Sequence, residues 1–234
     1  MSPYWIQRTR RVLLLCATAI LITAVVFAAT TPPDFRHRLS MGTAYASLLF
    51  LAATLALGPW KILRRSSSPI SYDQRRDLGI AAGVLALIHT AVGLTVHLRG
   101  RMWMYFFKKL HPLRIQANAF GAANYTGLVA ALLFVMLVAI SNDLSLRSLG
   151  TARWKNLQRW TYAAFGLTIA HGILFQTVEK RHLAWVILFA ASSIITVIVQ
   201  TLGFMLRRQR QRARIVSATE ADCLRAHDPG TSPR

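Results

Sequence analysis

Six stretches of the chain contain no Asp, Glu, Lys or Arg: residues 12–33, 39–60, 78–98, 115–142, 160–178 and 182–206. Each is close to or longer than the roughly 20 residues an apolar helix needs to cross a bilayer. Only 15% of the 234 residues are charged, where a soluble domain carries about a quarter. The expectation is an all-α polytopic membrane protein with six transmembrane helices in one bundle. Residues 1–11 would form a cytoplasmic N-terminus, 12–206 the membrane domain, and 207–234 a basic tail without regular structure from Ser217 onward. A fused flavin or nicotinamide domain is excluded by length, because a typical domain takes about 100 residues or more.

The charge that remains is strongly basic, 28 Lys and Arg against 8 Asp and Glu. It lies in short runs beside apolar stretches and builds no groove-sized domain, which argues against nucleic acid as a partner. Counted between alternate stretches, 19 basic residues fall on one side and 9 on the other. The positive-inside rule puts both termini in the cytoplasm. Five Arg between 207 and 214 suit a stop-transfer anchor that holds anionic lipid. The first stretch exceeds the h-region of a signal peptide, about 7–15 residues, and reads as a retained span. The third loop (Arg99, Arg101, Trp103, Tyr105, Phe106, Lys108, Lys109) mixes basic and aromatic residues, as an interfacial segment or a lid over an outward-facing site would. Cys16 and Cys223 stand far apart and form neither CxxC nor CxxCH, so thiol redox chemistry and covalent haem attachment have no motif.

All eight acidic residues fall in loops, tails or at span ends. An ion-coupled transporter usually places a carboxylate inside the bilayer, so that class is disfavoured. The ionisable residues well inside are histidines. His89 lies 13 residues after Arg76, and His171 lies 12 after Arg159, in two spans of the same direction. At about 1.5 Å per residue both sit roughly 18–20 Å from the cytoplasmic boundary. Two imidazoles at one depth can face each other, and neutral imidazole is an axial ligand of haem iron. The bland alternative is hydrogen bonding between helices. Gly79, Ala82, Gly83, Ala86 and Gly93 thin the third span, for a neighbouring helix or for a flat macrocycle. His37, His97, His111 and His182 read as solvated interfacial residues, and His227 lies in the tail.

Arg75-Arg76-Asp77-Leu78-Gly79 followed by His89 resembles the start of the third helix of ferric-reductase-like transmembrane domains. Leu149-Gly150 with Trp154, Lys155, Leu157, Arg159, Trp160 and Tyr162, followed by His171, resembles that family's entry into its fifth helix. Asn124, Thr126 and Gly127 fit its fourth helix, and Thr43, Ala44, Thr54, Pro59 and Trp60 its second. The likeness covers roughly residues 39–200. Size and the missing flavin domain are most similar to the haem-binding membrane subunits of bacterial periplasmic methionine sulfoxide reductase systems. That resemblance implies b-type haem, with FMN as a further cofactor. It implies electrons from quinone or a cytoplasmic flavin reductase, a molybdenum-cofactor oxidoreductase as periplasmic partner, and a location in the bacterial inner membrane. One departure stands out: Gln158 occupies the position of a further family histidine, so one haem, ligated by His89 and His171, is expected rather than two. The rival readings are a metal (ferric) reductase, for which the sequence displays no outer cluster of metal ligands, and a non-redox scaffold or permease with structural histidines.

Overall fold

A chain in hydrocarbon must satisfy its backbone polar groups within itself, which leaves helices as the building element. The computed structural model describes residues 3–31, 34–64, 72–98 and 101–227. Seven helices account for most of them: α1 (Pro3–Ala29), α2 (Phe35–Leu63), α3 (Tyr72–Gly93), α4 (Ala119–Ala139), α5 (Asp143–Gln158), α6 (Trp160–Glu179) and α7 (Leu183–His227). A 3-10 turn (Met102–Tyr105) and a small antiparallel hairpin, β1 (Phe107–Lys109) with β2 (Arg114–Ile115), connect α3 to α4.

Five helices, α1 to α4 and α7, are long and apolar enough to cross a membrane. The fifth charge-free stretch is α6, which is not among those five. Its Trp160, Tyr162, His171 and Gln176 dilute its apolar character. Asn142 caps the N-terminus of α5 by accepting from Ser145 N at 2.7 Å, and Gly150, at φ 71°, breaks that helix in two.

Helix α2 is the hub. It packs against α1, α3 and α7, while α4 packs against α3 and α6, and α6 meets α7 only narrowly. Hydrogen bonds reinforce the hub: Ser47 Oγ donates to the Ala82 carbonyl at 2.8 Å, Tyr45 OH to Trp185 at 2.9 Å, and Gln200 Nε2 to Leu55 at 2.6 Å. Leu13, Leu14, Ile20 and Leu21 of α1 and Ile194, Ile195 and Ile198 of α7 are exposed. An apolar outer surface of this kind suits lipid.

At the α1 N-terminal end, the buried carboxylate of Asp77 faces Arg11 at 3.2 Å and Arg8 at 4.0 Å. Arg76 pairs with Asp143, and this guanidinium holds the exposed Asp143 carboxyl below its usual range by hydrogen bond and charge. Asp77 lies in α3, just ahead of its charge-free stretch.

The tail departs from expectation. α7 continues as one helix past Ser217 to His227. No Gly or Pro occurs between Met205 and His227, and Arg, Gln, Ala and Leu are good helix formers. Residues 228–234, with Pro229 and Gly230, lie outside the described residues, as do Arg99 and Gly100 of the third loop.

The α1–α2 contact is close enough to test. A Cβ at Gly42 would stand 2.7 Å from the Thr23 carbonyl oxygen. Overpacking of this kind costs about 1–3 kcal/mol. Gly42→Val is expected to lower the thermal unfolding midpoint in detergent, read by circular dichroism, whereas Gly166→Ala, where nothing lies within 4 Å, is expected to leave it within a degree or so.

Candidate functional site

Because α6 and α7 barely meet, the ring of helices leaves a cavity of about 180 Å³. His89 and His171 both line it, with Ser40, Ala86, Gly127 and Phe175 among its other walls. His89 projects from α3 and His171 from α6, and their ring centroids are 6.1 Å apart with the planes at 75°. The two imidazoles that stand at one depth in the sequence do face each other.

Each ring is held through Nδ1. His89 Nδ1 lies 2.9 Å from the Ser40 carbonyl oxygen, with Ser40 Oγ at 3.1 Å. His171 Nδ1 lies 2.8 Å from the Ala123 carbonyl oxygen. A carbonyl only accepts, so in both rings Nδ1 carries the proton and Nε2 keeps its lone pair. This is the way protein ligands to metals are usually oriented, with the second ring nitrogen donating to a carbonyl or carboxylate. On the far side, Phe175 packs against His171 at 4.9 Å between centroids.

Helix α4 comes close to His171 because residue 127 has no side chain: a Cβ there would sit 2.6 Å from His171 Nδ1. The other small residues divide between two tasks. A Cβ at Gly83 would collide with Val138 of α4 at 2.5 Å, so Gly83 serves helix packing, whereas Gly93 and Ala86 border the cavity.

Tyr105 and Phe106 of the third loop line the cavity. Tyr105 is only 2% exposed. Its hydroxyl donates to the Gly93 carbonyl at 3.0 Å and accepts from His97 N at 2.8 Å. Burial pushes the phenol above its usual pKa, which keeps it a neutral donor. Trp103 and Met102 of the same loop point outward and are exposed.

The remaining histidines separate. His111 and His182 are exposed, as expected. His37 and His97 are partly exposed, but both turn toward Glu179, at 3.6 and 3.0 Å, and Arg181 meets the same carboxylate at 2.6 Å. A group of potential metal ligands, which the sequence did not display, therefore exists at the end of the bundle opposite the α1 N-terminus. Its one advance signal was Glu179, the sole acidic residue between the fifth and sixth charge-free stretches. Toward the other end, Gln158 Nε2 donates to Ser141 Oγ at 3.3 Å, and no second facing pair of histidines occurs there among the described residues.

Comparison with protein-family models, with curated proteins and with solved structures finds no significant match.

The seat of His171 is testable through its neighbour. Gly127→Ala forces the ring off its 2.8 Å bond to Ala123, at a cost of about 1–3 kcal/mol. The expected outcome is a lowered unfolding midpoint in detergent, with a further drop for Gly127→Val.

Proposed function

We propose that the chain is a six-span membrane cytochrome b, with one b-type haem held between His89 and His171. The observation that carries this reading is the paired imidazoles. Two imidazoles that held one iron ion between them through bonds of about 2 Å would have ring centroids roughly 6 Å apart, and the spacing found is 6.1 Å. Both rings have Nδ1 engaged by a backbone carbonyl, which leaves Nε2 as the ligating atom.

When bound, the haem supplies one-electron redox chemistry. The chain's own residues do the rest. The Ser40 and Ala123 carbonyls fix the tautomer and aim of the two ligands. Gly127 lets His171 stand against α4, and Ala86 and Gly93 keep the walls low beside His89. Phe134, Phe175 and Phe189 give the cavity apolar walls.

The six spans of this reading are α1, α2, α3, α4, α6 and α7, with α5 lying outside the bilayer. The charge count then puts both termini in the cytoplasm and His89 and His171 in the outer half of a bacterial inner membrane. One haem suffices, because the inner positions hold Gln158, Arg75 and Arg76 instead of a second histidine pair. Donor and acceptor rest on the family resemblance: quinol or a cytoplasmic flavin reductase on one side, with FMN as a further cofactor, and a periplasmic molybdenum-cofactor methionine sulfoxide reductase subunit on the other.

The test is spectroscopic. Purified protein is expected to be red, to give a b-type reduced-minus-oxidised spectrum, and to contain about one haem per chain by pyridine haemochrome. His89→Ala and His171→Ala should each abolish the low-spin signal, while His182→Ala and His111→Ala keep it. A colourless protein, or an unchanged spectrum in His171→Ala, would overturn the reading. Separately, a reporter fused at the C-terminus is expected to be active only when it works in the cytoplasm.

A further inference from the structure

We infer that His37, His97 and Glu179 form a binding site for one divalent transition-metal ion at the end of the bundle opposite the α1 N-terminus. The inference stands apart from the haem reading and does not rest on it.

Three different parts of the chain deliver the ligands: the first turn of α2, the segment after α3, and the last residue of α6. One ligand atom from each, two imidazole nitrogens and a carboxylate oxygen, lies within 4.8 Å of the others. His97 Nε2 is 3.0 Å from Glu179 Oε1, and His37 Nε2 is 3.6 Å from Oε2. The two imidazole planes cross at 86°, with centroids 6.0 Å apart. All three residues are partly buried and border the cavity, so an ion can reach them without unfolding the end of the bundle.

The donor set selects the ion. Two imidazoles and one carboxylate suit zinc, cobalt, iron or copper and leave open positions for water. Calcium and magnesium prefer all-oxygen cages. With the ion bound by His97 Nε2, His37 Nε2 and Glu179 Oε1, each imidazole carries its proton on Nδ1. His37 gives up a contact of 3.6 Å, which is already too long for a good hydrogen bond.

Arg181 is the opposing group. Its guanidinium lies 2.6 Å from Glu179 Oε2, so it occupies the oxygen that the ion leaves free, and its positive charge repels the ion. Affinity is accordingly set by a balance between ligand supply and this neighbouring cation.

The experiment uses the full-length chain in detergent, without a histidine tag, stripped with chelator and titrated with Co²⁺ and then Zn²⁺. The expected result is one Co²⁺ per chain with a ligand-field spectrum that Zn²⁺ displaces. His37→Ala, His97→Gln and Glu179→Gln should each weaken binding by about tenfold or more. His97→Gln and Glu179→Gln retain a hydrogen bond between these two positions and so guard against misfolding. Arg181→Gln should tighten binding several-fold, the direction that separates a metal site from an ion-pair cluster that merely braces the helices. His89→Ala and His171→Ala should leave Co²⁺ affinity unchanged, so the outcome is independent of haem. Absence of saturable binding, equal binding in the three ligand variants, or weaker binding in Arg181→Gln would each overturn the inference.

Discussion

Helices in lipid have no hydrophobic force driving them together, because a lipid tail is as apolar as a leucine. Close contact and a few interhelical hydrogen bonds must do the work, and α2 gathers both. Gly42 lets α1 approach to backbone distance, and a Cβ at Gly203 would meet Pro59 at 2.4 Å, so α7 approaches as closely. Ser47, Tyr45 and Gln200 add bonds across the same interfaces. Bonds of this type contribute about 0.6 kcal/mol each on average, so the shape of the contact surfaces matters more than any one of them.

The cavity follows from where those contacts are missing. α2 holds α3 and α7, α4 holds α3 and α6, and the ring is left almost open between α6 and α7. A polar ring facing such a gap needs a partner for its N–H, since an unpaired donor in hydrocarbon is costly. His89 and His171 each borrow a backbone carbonyl. The requirement that settles their donors also leaves two acceptor nitrogens in an apolar space, which is an uncommon thing for a membrane helix bundle to maintain. Burial of this kind marks ionisable residues within a membrane as functional candidates.

The charge-free stretches made the helices legible, and the regular rise of a helix made the common depth of His89 and His171 legible too. Both are local properties, readable by counting. The convergence of His37, His97 and Glu179 was not, because it depends on how the first turn of α2, the segment after α3 and the end of α6 come together, and no periodicity encodes that. α5 was also hidden: its residues are polar and Gly150 interrupts them, so they read as a loop, although Asn142 is a good N-cap. The helical tail was obscured by its polar composition and by the Pro and Gly near its end, which suggested disorder, while the propensity of residues 205–227 favoured helix. α6 marks the boundary of what hydropathy can decide, since the residues that make it interesting, His171 and Gln176, are those that lower its apolar character.

Asp77 and Glu179 lie at opposite ends of the bundle and use one electrostatic device for different ends. Each is a shielded carboxylate facing cationic or potentially cationic groups from other segments. Asp77 meets Arg8 and Arg11 and ties α1 to α3. A guanidinium stays protonated and offers no lone pair, so that cluster is closed: it can only be an ion pair. Glu179 meets Arg181, but also two imidazoles. An imidazole changes role with its proton, from donor to ligand. The same carboxylate can therefore hold α2 and the segment after α3 against α6 when no ion is present, and share them with a metal when one is. Replacing His37 and His97 by Arg would convert the second cluster into a copy of the first, and such a bundle would keep its brace and lose its capacity to bind a cation.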